Sequence, residues 1–190
     1  MKIKSSFFCV LTILILTVGA FAQKSKIESV YTSLDEKTCK TLESETGGTG
    51  WYRGECKGVG GYKLQLTEGD LRQSVDVIAP NKSKYELDFT GHVSGGFSSV
   101  GAQAEWRVSR GKGKKVYPIA LIVRFNASEN PEDSSIITSY LVVTKITKNQ
   151  ICITNIVKPG AKANEEARKF ADSSATKPCQ SAGDRVSIDR

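Results

Sequence analysis

The stretch Val116-Tyr117-Pro118-Ile119-Ala120-Leu121-Ile122-Val123-Arg124-Phe125 is apolar at nearly every position. A run of this kind reads as a strand buried on both faces. Pro118 has no N–H to give to a ladder, so it belongs near the start of that strand or at a sheet edge. A doubly buried strand needs partners, and the flanking sequence supplies them. Upstream, Ala104, Trp106 and Val108 alternate with Gln103, Glu105, Arg107 and Ser109, the period-two signature of a strand with Trp106 turned inward. The turn Arg110-Gly111-Lys112-Gly113-Lys114 separates the two. Downstream, Ile136 to Ile146 and Ile151 to Val157 are β-rich runs joined by Lys148-Asn149-Gln150, which implies an antiparallel pair.

Nearer the N-terminus, Tyr62, Leu64 and Leu66 alternate with polar residues, Glu68-Gly69-Asp70 makes a turn, and Val75, Val77 and Ala79 resume the alternation until Pro80. These two runs read as a hairpin. Tyr85, Leu87 and Phe89 alternate as a further strand would. Residues 91–101, with four glycines and the sole histidine, His92, are expected to be a loop. Residues 45–61 are expected to be a glycine-rich loop with a short strand at 51–53, and residues 23–32 a polar lead-in. Ser33 and Glu36 fit a capping box, which predicts a short helix through about Leu42. Ala163, Ala167, Phe170 and Ala171 form the apolar stripe of an amphipathic C-terminal helix. The expected fold is mainly β (α+β): an antiparallel sheet or sandwich-like body of six to eight strands, with a C-terminal amphipathic helix and a short N-terminal one.

The first 22 residues read as an export signal. Lys2 and Lys4 precede the apolar run Phe7 to Val18, and Ala20-Phe21-Ala22 supplies a small-x-small exit. The apolar run is too short to span a bilayer, which takes about 20 residues. The expected organisation is signal peptide 1–22, one domain over 23–179 and a polar tail 180–190. Cys9 leaves with the leader. Cys39, Cys56, Cys152 and Cys179 remain, and an even set in an exported chain reads as disulfides. Four cysteines allow three pairings; Cys39–Cys56 and Cys152–Cys179 are favoured because near neighbours close the smallest loops. No C-x-x-C is present and one histidine cannot build a usual zinc set, so neither metal nor cofactor is expected. The 27 basic and 20 acidic residues give a formal charge of +7, which loses two with Lys2 and Lys4. That excess favours weak attraction to anionic surfaces, such as lipid headgroups or acidic glycans, and falls short of a nucleic-acid footprint.

Candidate chemistry is sparse. His92 is the natural candidate for acid–base work; the plainer reading is a loop histidine bonded to nearby backbone. Glu68 and Asp70 flank Gly69 as paired carboxylates could in glycoside cleavage, although hairpin tips favour these residues anyway. Trp51, Tyr52 and Arg53 form a group able to stack on a sugar or a partner protein. Arg110 to Lys115 could meet an anionic partner or simply keep a hairpin tip soluble.

The order of these features resembles a family. Leu34-Asp35 and Cys39, then Cys56-Lys57-Gly58-Val59-Gly60-Gly61-Tyr62, then Glu68-Gly69-Asp70-Leu71-Arg72-Gln73-Ser74 are its first pieces. Glu105-Trp106-Arg107, Pro118 to Arg124, Leu141 to Lys145, Cys152, Ala163-Asn164, Ala167-Arg168 and Cys179 follow. The pattern is similar to a family of small exported Gram-negative bacterial proteins with two cysteine pairs, and covers nearly all of the chain after the leader. The resemblance implies an envelope or secreted setting and carries no activity and no site residue. The expected function is therefore that of an exported, periplasmic or secreted, non-enzymatic protein with a binding or structural part. Its expected partner is an envelope protein or glycan, with no nucleic acid and no membrane span. The alternative is a small hydrolase of an envelope polymer acting through His92 or Glu68/Asp70.

Overall fold

In chain order the elements are β1 (Ile27–Ser33), β2 (Lys40–Glu45), β3 (Trp51–Lys57), β4 (Lys63–Gly69), β5 (Arg72–Ile78), β6 (Lys84–Tyr85), α1 (Phe89–His92), β7 (Ser98–Arg110), β8 (Val116–Ser128), β9 (Ile137–Ile146), β10 (Ile151–Val157) and α2 (Ala163–Asp172). They come from a computed structural model that describes residues 26–45, 47, 50–111, 113, 115–130 and 132–181. The expected leader and most of the expected tail lie outside these residues.

The apolar run 116–125 lies in β8, between β7 and β9, and Ala120, Leu121, Val123 and Phe125 are almost fully buried. Pro118 is the third residue of β8 and sits opposite Val108, next to a register shift in the β7–β8 ladder, where its missing N–H costs least. The strands form one ten-stranded mixed sheet in the order β10-β9-β8-β7-β5-β4-β3-β2, with β1 on β7 and β6 on β5. All ladders are antiparallel but one. The expected antiparallel sheet is mixed because β5 and β7 meet in parallel at the single pair Arg72–Ser98. That pair joins two meanders, β2 to β6 and β1 with β7 to β10.

Inward side chains of both meanders share one cluster: Cys56, Leu64, Leu66, Val75 and Val77 meet Trp106, Val108, Leu121, Phe125 and Val142. Phe89 enters it edge-on to Phe125, with centroids 5.5 Å apart. A second cluster lies on the opposite side of β8 and β9, where Ala167 and Ala171 of α2 cover Ala120, Ile122, Leu141 and Val143. Alanine at the contact positions lets the helix approach the sheet closely. Two ion pairs then fix it. Arg168 holds Glu105 at 2.6 Å, and Asp172 takes Arg107 in a two-point grip at 2.6 and 2.8 Å. Trp106 points inward as its alternation implies, and its indole N–H donates to Thr32 at 2.8 Å.

Both disulfides have the favoured pairing, Cys39–Cys56 and Cys152–Cys179. The second ties the segment after α2 back to β10, alongside Gln180 N–H donating to the Ile153 carbonyl at 2.9 Å.

Several expectations are corrected. The lead-in 23–32 contains β1, which pairs with β7 from Ile27 to Ser33. Val30 packs toward the core, while Tyr31 points outward with 49% exposure. With large apolar side chains on both faces, the strand shows no clean alternation. The N-terminal helix is only a 3-10 turn, Glu36–Thr38. Ser33 cannot act as its cap because it is still paired in the sheet; Asp35 is the cap, accepting from Lys37 N–H at 3.0 Å. Cys39 then leads directly into β2. The supposed loop 45–61 holds β3 as far as Lys57. Within the supposed loop 91–101, His92 ends α1 and Ser98 begins β7.

Candidate functional site

One end of the sheet collects large apolar side chains that face solvent. Trp51 opens β3 opposite Gly69, which pairs with Arg72, which bridges to Ser98, whose other neighbour is Ala127. Ser128, the next residue, pairs with Ile137. Trp51, Leu71, Phe97 and Ile137 therefore follow one another along this rim, with Ile136 beside the last. They are 39 to 53% exposed.

The backbone at the rim is held, not slack. Ser98 N–H donates to the Leu71 carbonyl at 2.9 Å, and Ser128 N–H to that of Phe97 at 2.8 Å. Gly96 passes so close to the Ser128 carbonyl that a Cβ there would collide with it. Asp70 and Leu71 form a two-residue hairpin tip with φ of 51° and 59°. Positive φ at both central residues suits the strand twist, but it is unusual for leucine. Arg72 lies beneath Phe97, ion-paired to Asp70 and donating from Nε to the Gly95 carbonyl at 2.9 Å. Carboxylates border the rim. Glu45 accepts from the Trp51 indole N–H at 2.7 Å, and Glu129 accepts from the Tyr140 hydroxyl at 2.8 Å.

Of the sequence candidates, Trp51 stands on this rim, while its neighbours turn elsewhere. Tyr52 packs against the core and Arg53 pairs with Glu43 on β2. Glu68 is bonded to Gln73 at 2.6 Å, and the same Gln73 amide reaches Glu36 at 3.3 Å while its carbonyl accepts from Val100 N–H. Burial, with Glu68 and Asp35 nearby, pushes the Glu36 carboxyl above its ordinary value. That arrangement laces β5 to β7 and to the 3-10 turn, and it occupies Glu68. Asp70 is occupied by Arg72. His92 sits on α1 with its Nδ1 buried and unbonded. No hydrogen bond or ion pair joins His92 to Glu68 or Asp70 among the described residues. No group of three or more His, Cys, Asp or Glu suited to a metal ion occurs among the described residues. No described helix is long and apolar enough to cross a membrane.

Leu71, Phe97, Ile136 and Ile137 carry most of the rim and none was singled out from sequence. Their one signal is position: each is a large apolar residue at or beside a turn, where burial is not expected. Comparison with known proteins gives no matching family model, no matching curated protein and no matching solved structure, so the functional reading rests on geometry and chemistry alone.

Proposed function

We propose that the chain is an exported binding protein without catalysis of its own, released after Ala22 into the periplasm or medium, which grips an envelope protein with the rim around Trp51 and Phe97. The carrying observation is the row of exposed apolar side chains along one end of the sheet, on a backbone pinned by hydrogen bonds. Such a surface needs little ordering on contact, and large aromatic side chains are the usual anchors of protein interfaces. Carboxylates at its border favour a partner that offers apolar groups flanked by basic ones. The two disulfides are compatible with life outside the cytoplasm. We read the body as sandwich-like, and the core cluster shared by the two meanders supports this; such a body would leave the hairpin tips free for recognition.

The test is site-specific photo-crosslinking in the native envelope. A photoreactive residue at Leu71 should give a discrete protein adduct, and the combined Trp51→Ala and Phe97→Ala change should abolish it. The same probe at Lys148, across the molecule, should not form that adduct. An adduct that survives the double change, or a carbohydrate adduct in its place, overturns the reading.

A further inference from the structure

The geometry points to a second surface, at the opposite end of the sheet from the rim, that seats the protein end-on upon a bilayer bearing anionic headgroups. The basic excess looks scattered in the sequence, yet the fold gathers much of it. Lys57 and Lys63 face each other at the end of the β3–β4 hairpin. Lys63 lies level with Ile78, and Ile78 with Lys84, so the β5–β6 turn with Lys82 stands beside them. The turns around Gly60, Pro80 and Lys115 meet at one shallow hollow of about 400 Å³ lined by Tyr62, Tyr117 and Pro118. This contact is tight: a Cβ on Gly60 would lie 2.8 Å from Cδ of Pro118. The β9–β10 turn brings Lys148 to the same end, since Ile146 pairs with Ile151.

Ion pairing leaves the balance at this end positive. Three cations offset most of the acids at this end: Glu55 holds Lys63 at 2.6 Å, Asp76 and Glu86 share Lys84 at 3.0 and 3.3 Å, and Glu28 holds Arg110 at 2.7 Å. Lys57, Lys82, Lys115 and Lys148 are exposed and have no ion pair among the described residues. These four lysines outweigh the one carboxylate charge left over, so the end is net positive, with its free cations spread over four separate turns. Lysines on separate turns suit mobile headgroups that can gather beneath them, and offer no shared fork for one fixed anion. Tyr117, 51% exposed with its ring against Gly111, adds an amphipathic ring of the kind that sits at headgroup depth. The far end carries Glu129, Glu132 and Asp133, which an anionic surface repels. Docking by the lysines thus points the apolar rim away from the bilayer.

The experiment uses the oxidised chain 23–190 and sedimentation with vesicles of phosphatidylcholine, with or without phosphatidylglycerol. Binding should require phosphatidylglycerol and fall as salt rises. Each lysine near an anionic surface is worth about fivefold in partitioning, so K57Q/K82Q/K115Q/K148Q should weaken binding by roughly a hundredfold or more. Glu132→Gln with Asp133→Asn, at the far end, should not weaken it. In a Trp51→Phe background, Tyr117→Trp should shift its emission to the blue on binding. Equal binding to neutral vesicles, no loss in the quadruple variant, or a blue shift of native Trp51 instead would overturn the proposal. So would tight binding to a soluble acidic polysaccharide with none to vesicles.

Discussion

The Arg72 guanidinium lies 5.1 Å from the centre of the Phe97 ring while its Nε donates to the Gly95 carbonyl at 2.9 Å. One planar cation thus supports an exposed ring from below and ties down the glycines that lead to it. Arg72→Lys keeps the charge and loses the fork. Expected results are about 1 kcal/mol of lost stability and faster amide exchange confined to residues 94–98. Unchanged exchange there would show that the loop holds itself.

Leu71 occupies a left-handed conformation that glycine adopts without strain. Its side chain is half exposed, so little burial is forfeited by removing it. Leu71→Gly should raise stability by about 0.5–1 kcal/mol in denaturant titrations, the relief of strain exceeding the added freedom of the unfolded chain. The same change should weaken partner capture. A variant that is both less stable and a better binder would contradict the assignment of Leu71 to the rim.

The centre of the fold was legible because period-two alternation at Trp106 and Leu64, and the unbroken run at β8, follow directly from burial. The helix stripe at Ala167 and the cysteine pairing were legible for the same local reasons. Two things hid the rest. β1 shows no alternation because Val30 and Tyr31 serve opposite sides of the sheet, and the capping signal at Ser33 was overridden by its pairing with Gln103. The rim depends on the order of strands in space: Trp51 and Ile137 are far apart in the chain and come to share one rim only through the Arg72–Ser98 bridge. Nothing local announces that bridge.

The Cys152–Cys179 disulfide closes a sequence separation of 27. Cross-links of that span contribute about 3 kcal/mol by restricting the unfolded chain. Replacing both cysteines with alanine should cost roughly that in guanidinium titrations. Exchange should rise in residues 173–181 first, since Lys145 Nζ on the Lys177 carbonyl at 2.7 Å would be among the few ties left there. A loss well below 1 kcal/mol would mean that the helix packing holds this segment alone.

Glu105 couples α2 to the sheet in a pH-dependent way. Burial works to raise its pKa, but hydrogen bonds from Arg168 and Ser29, with the charges of Arg168 and Arg107, outweigh burial and hold the carboxyl below its ordinary value. A carboxyl depressed in the folded state adds stability that is complete above the unfolded pKa, near 4.3, and disappears as pH falls through the folded value. The contribution should therefore be flat from pH 7 to about 5 and decline below that. Glu105→Gln removes it and leaves Arg107 to Asp172. At neutral pH it should cost about 1–2 kcal/mol, moderated because Arg168 is partly exposed and can turn to water. The decisive measurement is the difference in unfolding free energy between the two proteins as a function of pH. That difference should shrink toward zero on acidification below pH 4, and a difference that stays constant would remove Glu105 ionisation as its source.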